Sequence, residues 1–310
     1  MRRSGVRIPS APPKHPAESA PPRGGVFSCP RRTACAYARR VALDYVDHLR
    51  SDSARFLAVL READPSLRVP SCPDWDAADL LWHLGEVQWF WATIVGRRLQ
   101  DPEPAEVDKP SRPASQAGLV TFFEDAHGAL VEALSSADPA EPVWMWADDK
   151  TVGYVRRRQA NEALIHRLDA ELTVGDVTPL DPALAADSLD EAFTTMYGGT
   201  PEWGTFTPSG RSVRIEPDDA APLHVRLGRF TGTSPSSGTS YDEPACELVG
   251  EPTVGDRAAQ DAAAQHATLR GSAGDLSAWV WGRRDISHLT ITGDRAAIAD
   301  LTAVIEEGIQ

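Results

Sequence analysis

The hydrophobic pattern of the chain changes at D-V-T-P-L-D-P, residues 176–182. Before this segment, apolar residues recur at helical spacing in long runs. After it, short β-like runs alternate with clusters of Gly, Pro, Ser and Asp. A length of 310 residues also favours two domains. We therefore expect a helical domain over residues 41–178 and an α+β domain over residues 183–310.

The helical half contains four long amphipathic segments. They are predicted at about residues 42–62, 77–98, 115–136 and 155–172. Four helices of this length favour an antiparallel four-helix bundle. The segment V-P-S-C-P-D-W-D before the second helix is interpreted as a rigid loop. In it, Asp76 is a predicted N-cap, with Asp79 favouring the positive end of the helix.

The second half is predicted to be a mostly antiparallel sheet accompanied by helices, an α+β arrangement. One helix is expected at residues 183–197. The strand-like runs are S-V-R-I-E, L-H-V-R-L-G, C-E-L-V-G, H-A-T-L-R-G and H-L-T-I-T-G. Two further helical runs, D-L-S-A-W-V-W-G-R-R and R-A-A-I-A-D-L-T-A-V-I-E-E, interrupt and close this half.

Residues 1–40 are rich in Pro and Arg and have no hydrophobic period, so we expect a disordered tail. Within it, S-G-V-R-I-P-S-A-P-P resembles the product of a reading frame extended upstream through a transfer-RNA gene. Our hypothesis is that the native protein starts near Val41. Intact-mass analysis of the protein made from its own locus tests this, and finding residues 1–40 would contradict it.

The composition of the chain argues against several classes of binding partner. A net charge of −14 at pH 7 repels phosphate backbones, so nucleic-acid binding is not expected. No run approaches the roughly 18 apolar residues needed to cross a bilayer, and no signal peptide is recognisable. The four cysteines form no C-x-x-C pair, which argues against a disulfide framework or a thiolate zinc site. We expect a cytoplasmic monomer or homodimer without a membrane or nucleic-acid partner.

The segment N-E-A-L-I-H-R-L-D-A-E, residues 161–171, carries the chemistry of the chain. Glu162 and His166 lie one helical turn apart and therefore share a face. A carboxylate oxygen and an imidazole nitrogen both suit zinc. The same spacing is common on solvated helix faces, which is the alternative interpretation of this pair.

A third ligand candidate is His83, in the middle of the second predicted helix. Its alternative interpretation is a core histidine with satisfied hydrogen bonds. Bundle cores build metal sites from facing helices, and two His with one Glu leave a coordination position open, as in catalytic zinc. Glu86 and Asp169 are either orienting partners of the two imidazoles or solvated charges.

Other features carry less information. R-R-R at 156–158 is interpreted as a solvated turn, or alternatively as a holder of an anionic group near the metal. His48 and His127 have no matching pair and are interpreted as structural or surface residues. The sequence contains no P-loop, no dinucleotide fingerprint and no G-x-S-x-G elbow.

Two motifs in this order resemble the actinobacterial mycothiol-dependent maleylpyruvate isomerase family: V-P-S-C-P-D-W-D-A-A-D-L-L-W-H-L-G-E and N-E-A-L-I-H-R-L-D-A-E. G-T-F-T-P-S-G-R and T-L-R-G-S-A-G-D-L-S-A-W-V-W-G-R look like its C-terminal domain. The resemblance runs from about Leu43 to the end of the chain. It implies a DinB-like four-helix bundle that binds a divalent metal, usually zinc, and a smaller C-terminal domain resembling sterol-carrier folds.

The resemblance also implies site residues. The metal ligands fall on His83, Glu162 and His166, the same three that the spacing singles out. The family's C-terminal domain contributes an arginine to the active site, for which Arg283 is the candidate. Many relatives read H-E-x-x-x-H, whereas this chain has Asn161 before the glutamate. We expect that residue to face away from the ligand pair.

The implied cofactors are zinc, or another divalent metal, and mycothiol. Zinc lowers the pKa of a bound thiol, and the thiolate adds to a small electrophilic substrate that a basic residue steers if it is anionic. The chain would then act as an isomerase or a thiol S-transferase. The alternatives are a non-catalytic metal-binding or small-molecule-sensing module, and a metal-dependent hydrolase with Glu86 or Asp169 as general base.

Overall fold

The computed structural model describes residues 43–250 and 265–308. The expected disordered tail at 1–40 and the hypothesis of a start near Val41 lie outside the described residues. A helical domain comes first in the chain, and a domain with a mixed sheet and helices follows it. Among the described helices, none combines the length and the apolar character that crossing a bilayer requires.

Four long helices form the N-terminal bundle, in which α2 packs on α4 and α1 packs on α5. The sequence prediction of these helices is confirmed, although α5 begins three residues earlier than expected. A short helix, α3, lies between α2 and α4. The bounds are α1 Tyr45–Glu62, α2 Ala77–Gly96, α3 Glu103–Val107, α4 Gln116–Ser136 and α5 Val152–Val174.

The start of α2 is fixed by a reciprocal capping box. The backbone N–H of Asp79 donates to Asp76 Oδ1 at 2.8 Å, and the backbone N–H of Asp76 donates to Asp79 Oδ2 at 3.0 Å. These bonds satisfy donors that have no partner within the helix. They also confirm the predicted N-cap, and they set where along α2 each later side chain lies.

The segment V-P-S-C-P-D-W-D is not a loop, as the sequence suggested. Most of it belongs to two short antiparallel strands, β1 Arg68–Val69 and β2 Cys72–Asp76. Its prolines are tolerated because Pro70 lies in the connection and Pro73 lies in a sheet of two strands, where both are edges. The buried side chains of Val69 and Cys72 tie this pair to the bundle core.

The second half contains a five-stranded sheet in the order β5-β4-β3-β6-β7. Among the strands that the structure describes, only β3 and β6 pair in parallel, so the prediction of a mostly antiparallel sheet is confirmed. The helix expected at 183–197 is instead an α-helix that runs into a π-helical turn at Ala192–Met196. The bounds are α6 Pro182–Glu191, β3 Gly204–Pro217, β4 Leu223–Thr233, β5 Ser240–Val249, β6 His266–Gly271, α7 Ala273–Val280, β7 Thr290–Gly293 and α8 Arg295–Glu307.

Helix α5 lies at the junction of the two domains and is buried on nearly all sides. Ala163 packs into the bundle core, whereas Ile165 packs into the core of the sheet domain. Leu164 and Leu168 join a further apolar cluster with residues of α6 and α7. A helix enclosed in this way holds its polar side chains in protein-lined surroundings, where they need partners.

The interpretation of R-R-R as a solvated turn is wrong, because these residues lie within α5. The Arg156 side chain donates to the carbonyls of Leu134 and Ala137 at the end of α4. Residues 157 and 158 face α6, whose side chains here are acidic. The acidic face of α6 therefore neutralises Arg157 and Arg158, which the local sequence alone marks as exposed.

Candidate metal centre

The structure brings His83 of α2 together with Glu162 and His166 of α5. One ligand atom from each lies within 4.8 Å of the others. Glu162 Oε1 is 3.2 Å from His166 Nε2 and 3.7 Å from His83 Nε2. The two imidazole side chains are 3–4% exposed and that of Glu162 is 20% exposed. The cluster is therefore interior but borders solvent on the glutamate side.

Packing around the imidazoles fixes their rings. Leu80 and Leu84 flank His83 on α2 and are fully buried in the bundle core. The Trp75 ring, at the end of β2, lies 4.7 Å from the His83 ring. The rings of His83 and His166 meet edge to face, with centroids 4.8 Å apart. The capping box, β2 and the helix crossing thus define where the histidine of α2 points.

The tautomer of His166 is set by Asp169. His166 Nδ1 lies 2.9 Å from Asp169 Oδ2. Burial alone would raise the pKa of Asp169, but the charge of Arg283 and hydrogen bonds from its neighbours hold the pKa well below its ordinary value. An ionised carboxylate only accepts, so Nδ1 carries the proton. In the neutral imidazole, the lone pair of Nε2 then points to Glu162.

A cation fits the space between these groups. His83 Nε2 is buried and has no hydrogen-bond partner among the described residues, since 3.7 Å to Glu162 Oε1 is too long for a hydrogen bond. Burial lowers the pKa of His83, which favours the neutral imidazole. Two imidazole nitrogens and a carboxylate oxygen facing one another match the two-His, one-carboxylate set of catalytic zinc sites.

A proton is the simplest competitor of a metal at this place. Burial alone would lower the pKa of His166, but hydrogen bonds with Asp169 and Glu162 raise it. A protonated Nε2 would satisfy Glu162 Oε1 at 3.2 Å. It would leave His83 Nε2 without a partner. The metal accounts for all three groups, whereas the proton accounts for two.

The two oxygens of Glu162 have different surroundings. Oε1 faces the imidazoles, and Oε2 accepts a hydrogen bond from Arg158 Nη2 at 2.7 Å. Burial alone would raise the pKa of Glu162, but the charge of Arg158 and the hydrogen bond with His166 hold it well below its ordinary value. The carboxylate is therefore ionised. Arg158 was considered from the sequence only as part of R-R-R, a solvated turn or a holder of an anionic group near the metal. It precedes Glu162 by one helical turn, a spacing that could have identified it as the partner of that glutamate.

Arg283 lies next to the centre but is engaged within the protein. Its Nε and Nη2 donate to Asp169 Oδ1 and Oδ2 at 2.9 and 2.8 Å. Its Nη1 donates to the Trp281 carbonyl at 2.5 Å, and its side chain is 4% exposed. The neighbouring Arg284 is 40% exposed and pairs with Asp275 at the surface. The candidate arginine thus contacts the partner of a ligand, and all three nitrogens donate to protein oxygens.

The two candidate orienting carboxylates differ. Asp169 is fully buried and accepts from Arg283, His166 and the Ser71 hydroxyl, so it is not a solvated charge. Glu86 instead forms an ion pair with Lys109 Nζ at 2.8 Å.

Asn161 faces α6, where its Nδ2 lies 3.1 Å from Asp187 Oδ2 and 3.0 Å from Glu191 Oε2. This orientation agrees with the expectation that Asn161 points away from the ligand pair. Its side chain contributes to the packing of α5 on α6.

Fold and site together define a class of protein: a helical bundle with an interior His/Glu/His cluster, joined to a mixed-sheet domain. Two family models match the chain. The mycothiol maleylpyruvate isomerase N-terminal domain matches residues 46–171, and the C-terminal domain of the same family, abbreviated MDMPI, matches residues 183–300. The chain therefore belongs to the mycothiol-dependent maleylpyruvate isomerase family, a family of enzymes.

Solved structures agree on the fold. The chain is similar to the crystal structures of the mycothiol-dependent maleylpyruvate isomerase and of a histidine-to-alanine mutant of that enzyme. Each comparison gives a TM-score of 0.52 at 11% identity, covering 80% of this chain and 92% of the other. At this identity the likeness establishes a shared fold. A comparison with curated proteins finds no significant match.

Proposed function

We propose that this protein is a metal-dependent, mycothiol-using isomerase or thiol S-transferase acting on a small, electrophilic, anionic substrate in the manner of maleylpyruvate isomerase. The observation that carries the proposal is the convergence of two imidazole nitrogens on Glu162 Oε1. The family membership supplies the thiol, and the solved isomerase supplies the type of reaction.

His83, Glu162 and His166 would hold the metal ion as three single-atom ligands. Zinc bound there would lower the pKa of a ligating thiol, so that thiolate is available at neutral pH. Thiol addition to a conjugated double bond followed by elimination isomerises a substrate, and release of the adduct makes the same site a transferase. Asp169 keeps the proton of His166 on Nδ1, and buried side chains around the imidazoles exclude water.

Arg283 acts in this proposal on the ligand set and not on the substrate. Each of its three nitrogens donates within the protein, to Asp169 or to the Trp281 carbonyl. It orients Asp169, which in turn orients His166. Because all three nitrogens are used in these contacts, the guanidinium of Arg283 is not free to bind an anionic substrate. Substrate steering is therefore assigned to another group.

The contacts favour thiol chemistry over hydrolysis. A metal-bound water needs a general base within reach. Asp169 is held by Arg283, His166 and Ser71, and Glu86 is held by Lys109. Both oxygens of Asp169 are therefore engaged within the protein, and Glu86 is paired through Oε2 with Lys109.

The proposal also covers the compartment, the domain limits and the oligomeric state of the protein. Cys72 and Cys246 are free and buried, as suits a reducing cytoplasm in which a low-molecular-weight thiol is available. We retain the domain limits 41–178 and 183–310, with the bundle carrying the ligands. The protein is expected to act as a monomer or homodimer.

The test is metal content by mass spectrometry for the wild type and for His166→Ala, followed by titration of the metal-loaded wild type with mycothiol. We expect one zinc per chain, loss of it in the variant, and ligation of the thiol at the metal. Metal binding without thiol ligation would instead indicate a non-catalytic metal-binding module. A wild type that binds no metal would refute the proposal.

A further inference from the structure

We propose that Arg158 is a positioning residue that holds Glu162 to a single metal-binding oxygen, and so keeps a coordination position open for the thiol. The inference rests on the metal centre of the proposed function. It adds a residue that neither the spacing of the ligands nor the family resemblance singled out.

The guanidinium of Arg158 is enclosed on three sides. Its Nη2 donates to Glu162 Oε2 at 2.7 Å, and its Nη1 donates to Glu191 Oε2 at 2.5 Å. The Trp281 ring lies 5.4 Å from its central carbon, within the range of a cation–π contact. The side chain is 5% exposed. A buried charge with two carboxylate partners and an aromatic face has a defined position.

This position divides the oxygens of Glu162 between two tasks. A carboxylate near a metal can bind through one oxygen or through both. The charge-assisted hydrogen bond at 2.7 Å opposes rotation of Oε2 toward the imidazoles. Oε1 alone then joins His83 and His166. Three single-atom ligands leave the fourth tetrahedral position for another ligand, whereas a bidentate glutamate would occupy it.

The residues that hold Arg158 come from the second half of the chain. Glu191 is the last residue of α6 and directly precedes the π-helical turn, a feature that is frequent at functional sites. Trp281 follows α7, and its Nε1 donates to Ser188 Oγ at 2.9 Å, which fixes the ring. The C-terminal half therefore reaches the ligand set through Arg158, without contributing a ligand itself.

Arg157 provides a matched control. It is the adjacent residue, and it also forms ion pairs with α6, to Asp187 Oδ2 at 2.9 Å and Asp190 Oδ2 at 2.7 Å. No contact joins it to Glu162 among the described residues. Arg157→Met thus removes α5–α6 ion pairs without touching the ligand, and Arg158→Met removes an ion pair and frees Glu162 Oε2.

The experiment loads the wild type, R157M and R158M with Co²⁺ and records visible absorption, whose intensity falls as the coordination number rises above four. Zinc affinity is measured by competition with a chelator, and mycothiol is then added to the cobalt forms. For R158M we expect a weaker cobalt spectrum, zinc binding weakened by about tenfold or more, and loss of the thiolate-to-cobalt band. For R157M we expect the wild-type values.

The outcomes separate the inference from the proposed function. A wild type that binds no cobalt overturns both. A wild type that binds cobalt together with an R158M of unchanged spectrum and affinity overturns only the role of Arg158. An equal change in R157M and R158M also overturns it, because the effect would then follow from helix packing. If R158M does not fold, the double variant R158M/Glu191→Gln replaces it, because it also removes the buried carboxylate that is left without its partner. A weaker cobalt spectrum and lower zinc affinity support the role, and wild-type behaviour overturns it.

Discussion

Arg283 donates two hydrogen bonds to Asp169, from Nε to Oδ1 at 2.9 Å and from Nη2 to Oδ2 at 2.8 Å. The pair joins the turn after α7 to the bundle helix α5. Asp169 in turn accepts from His166 Nδ1 at 2.9 Å. A side chain of the second domain is therefore two contacts away from a candidate metal ligand, and this arrangement has measurable consequences.

Arg283→Met should weaken zinc binding by about 10- to 100-fold, the range seen when the partner of a metal-bound histidine is disturbed. Without the guanidinium, Asp169 loses two hydrogen bonds and no longer fixes the imidazole. Chelator competition measures the change. Arg284→Met is the control, since that residue pairs with Asp275 at the surface and should leave zinc affinity unchanged. Equal zinc affinity in Arg283→Met and Arg284→Met would show that the contact between Arg283 and Asp169 does not affect the metal centre.

Asp169→Asn should destabilise the metal-free protein by about 3–5 kcal/mol, because it leaves the buried charge of Arg283 unpaired. The double variant with Arg283→Met should lose less than the sum of the two single changes, since the uncompensated charge is then gone. Urea unfolding of the four proteins gives the free energies. Simple additivity would mean that the two residues do not interact in the folded state.

The features that the sequence predicted are those that depend on the spacing of residues within one helix. The four helices follow from apolar periodicity, and the cap at Asp76 follows from two residues three apart. Glu162 and His166 converge because four residues complete one helical turn. The placement of His83 opposite them required a bundle, which the helix lengths also indicated.

The sequence did not predict which charges are buried, because burial depends on distant packing. Arg158 looked solvated, yet Glu191 lies 33 positions later in the chain and Trp281 still further on. Asp169 was left between two interpretations because its partner Arg283 comes from the other domain, 114 positions away. Such contacts are set by how α6 and α7 dock on α5, which no pattern within one helix encodes.

A pH dependence should arise at His127 of α4, which is not one of the candidate metal ligands. His127 Nδ1 lies 2.9 Å from Gln88 Oε1, and Gln88 Nε2 donates to Ser53 Oγ at 2.9 Å, which links α4, α2 and α1. Burial, and secondarily the charge of Arg50, lowers the pKa of His127 to about 4. The unfolded chain takes up this proton near pH 6.5, so stability falls as the pH drops below that value.

The expected loss from this group is about 2 kcal/mol between pH 7 and pH 5, in the metal-free protein. His127→Phe keeps an aromatic ring next to Phe123, on which the imidazole now stacks, but cannot take up a proton. Urea unfolding of both proteins at the two pH values isolates the contribution of His127 to the free energy of unfolding, because the other titrating groups are common to both proteins. The same pH slope in the variant would contradict a partly buried histidine that is neutral in the folded protein.

Two exposed glycines should respond to alanine with opposite signs. Gly175 ends α5 with φ 75°, a left-handed conformation that an alanine adopts only at a cost, although nothing lies within 4 Å of the added carbon. Gly128 lies inside α4, again with nothing within 4 Å, and has ordinary helical geometry. Gly175→Ala should lose about 1 kcal/mol, and Gly128→Ala should gain up to about 1 kcal/mol. Since neither change alters a contact, the comparison measures backbone conformation alone. Thermal unfolding of both variants checks it, and a stabilising Gly175→Ala would mean that α5 does not end in the left-handed turn.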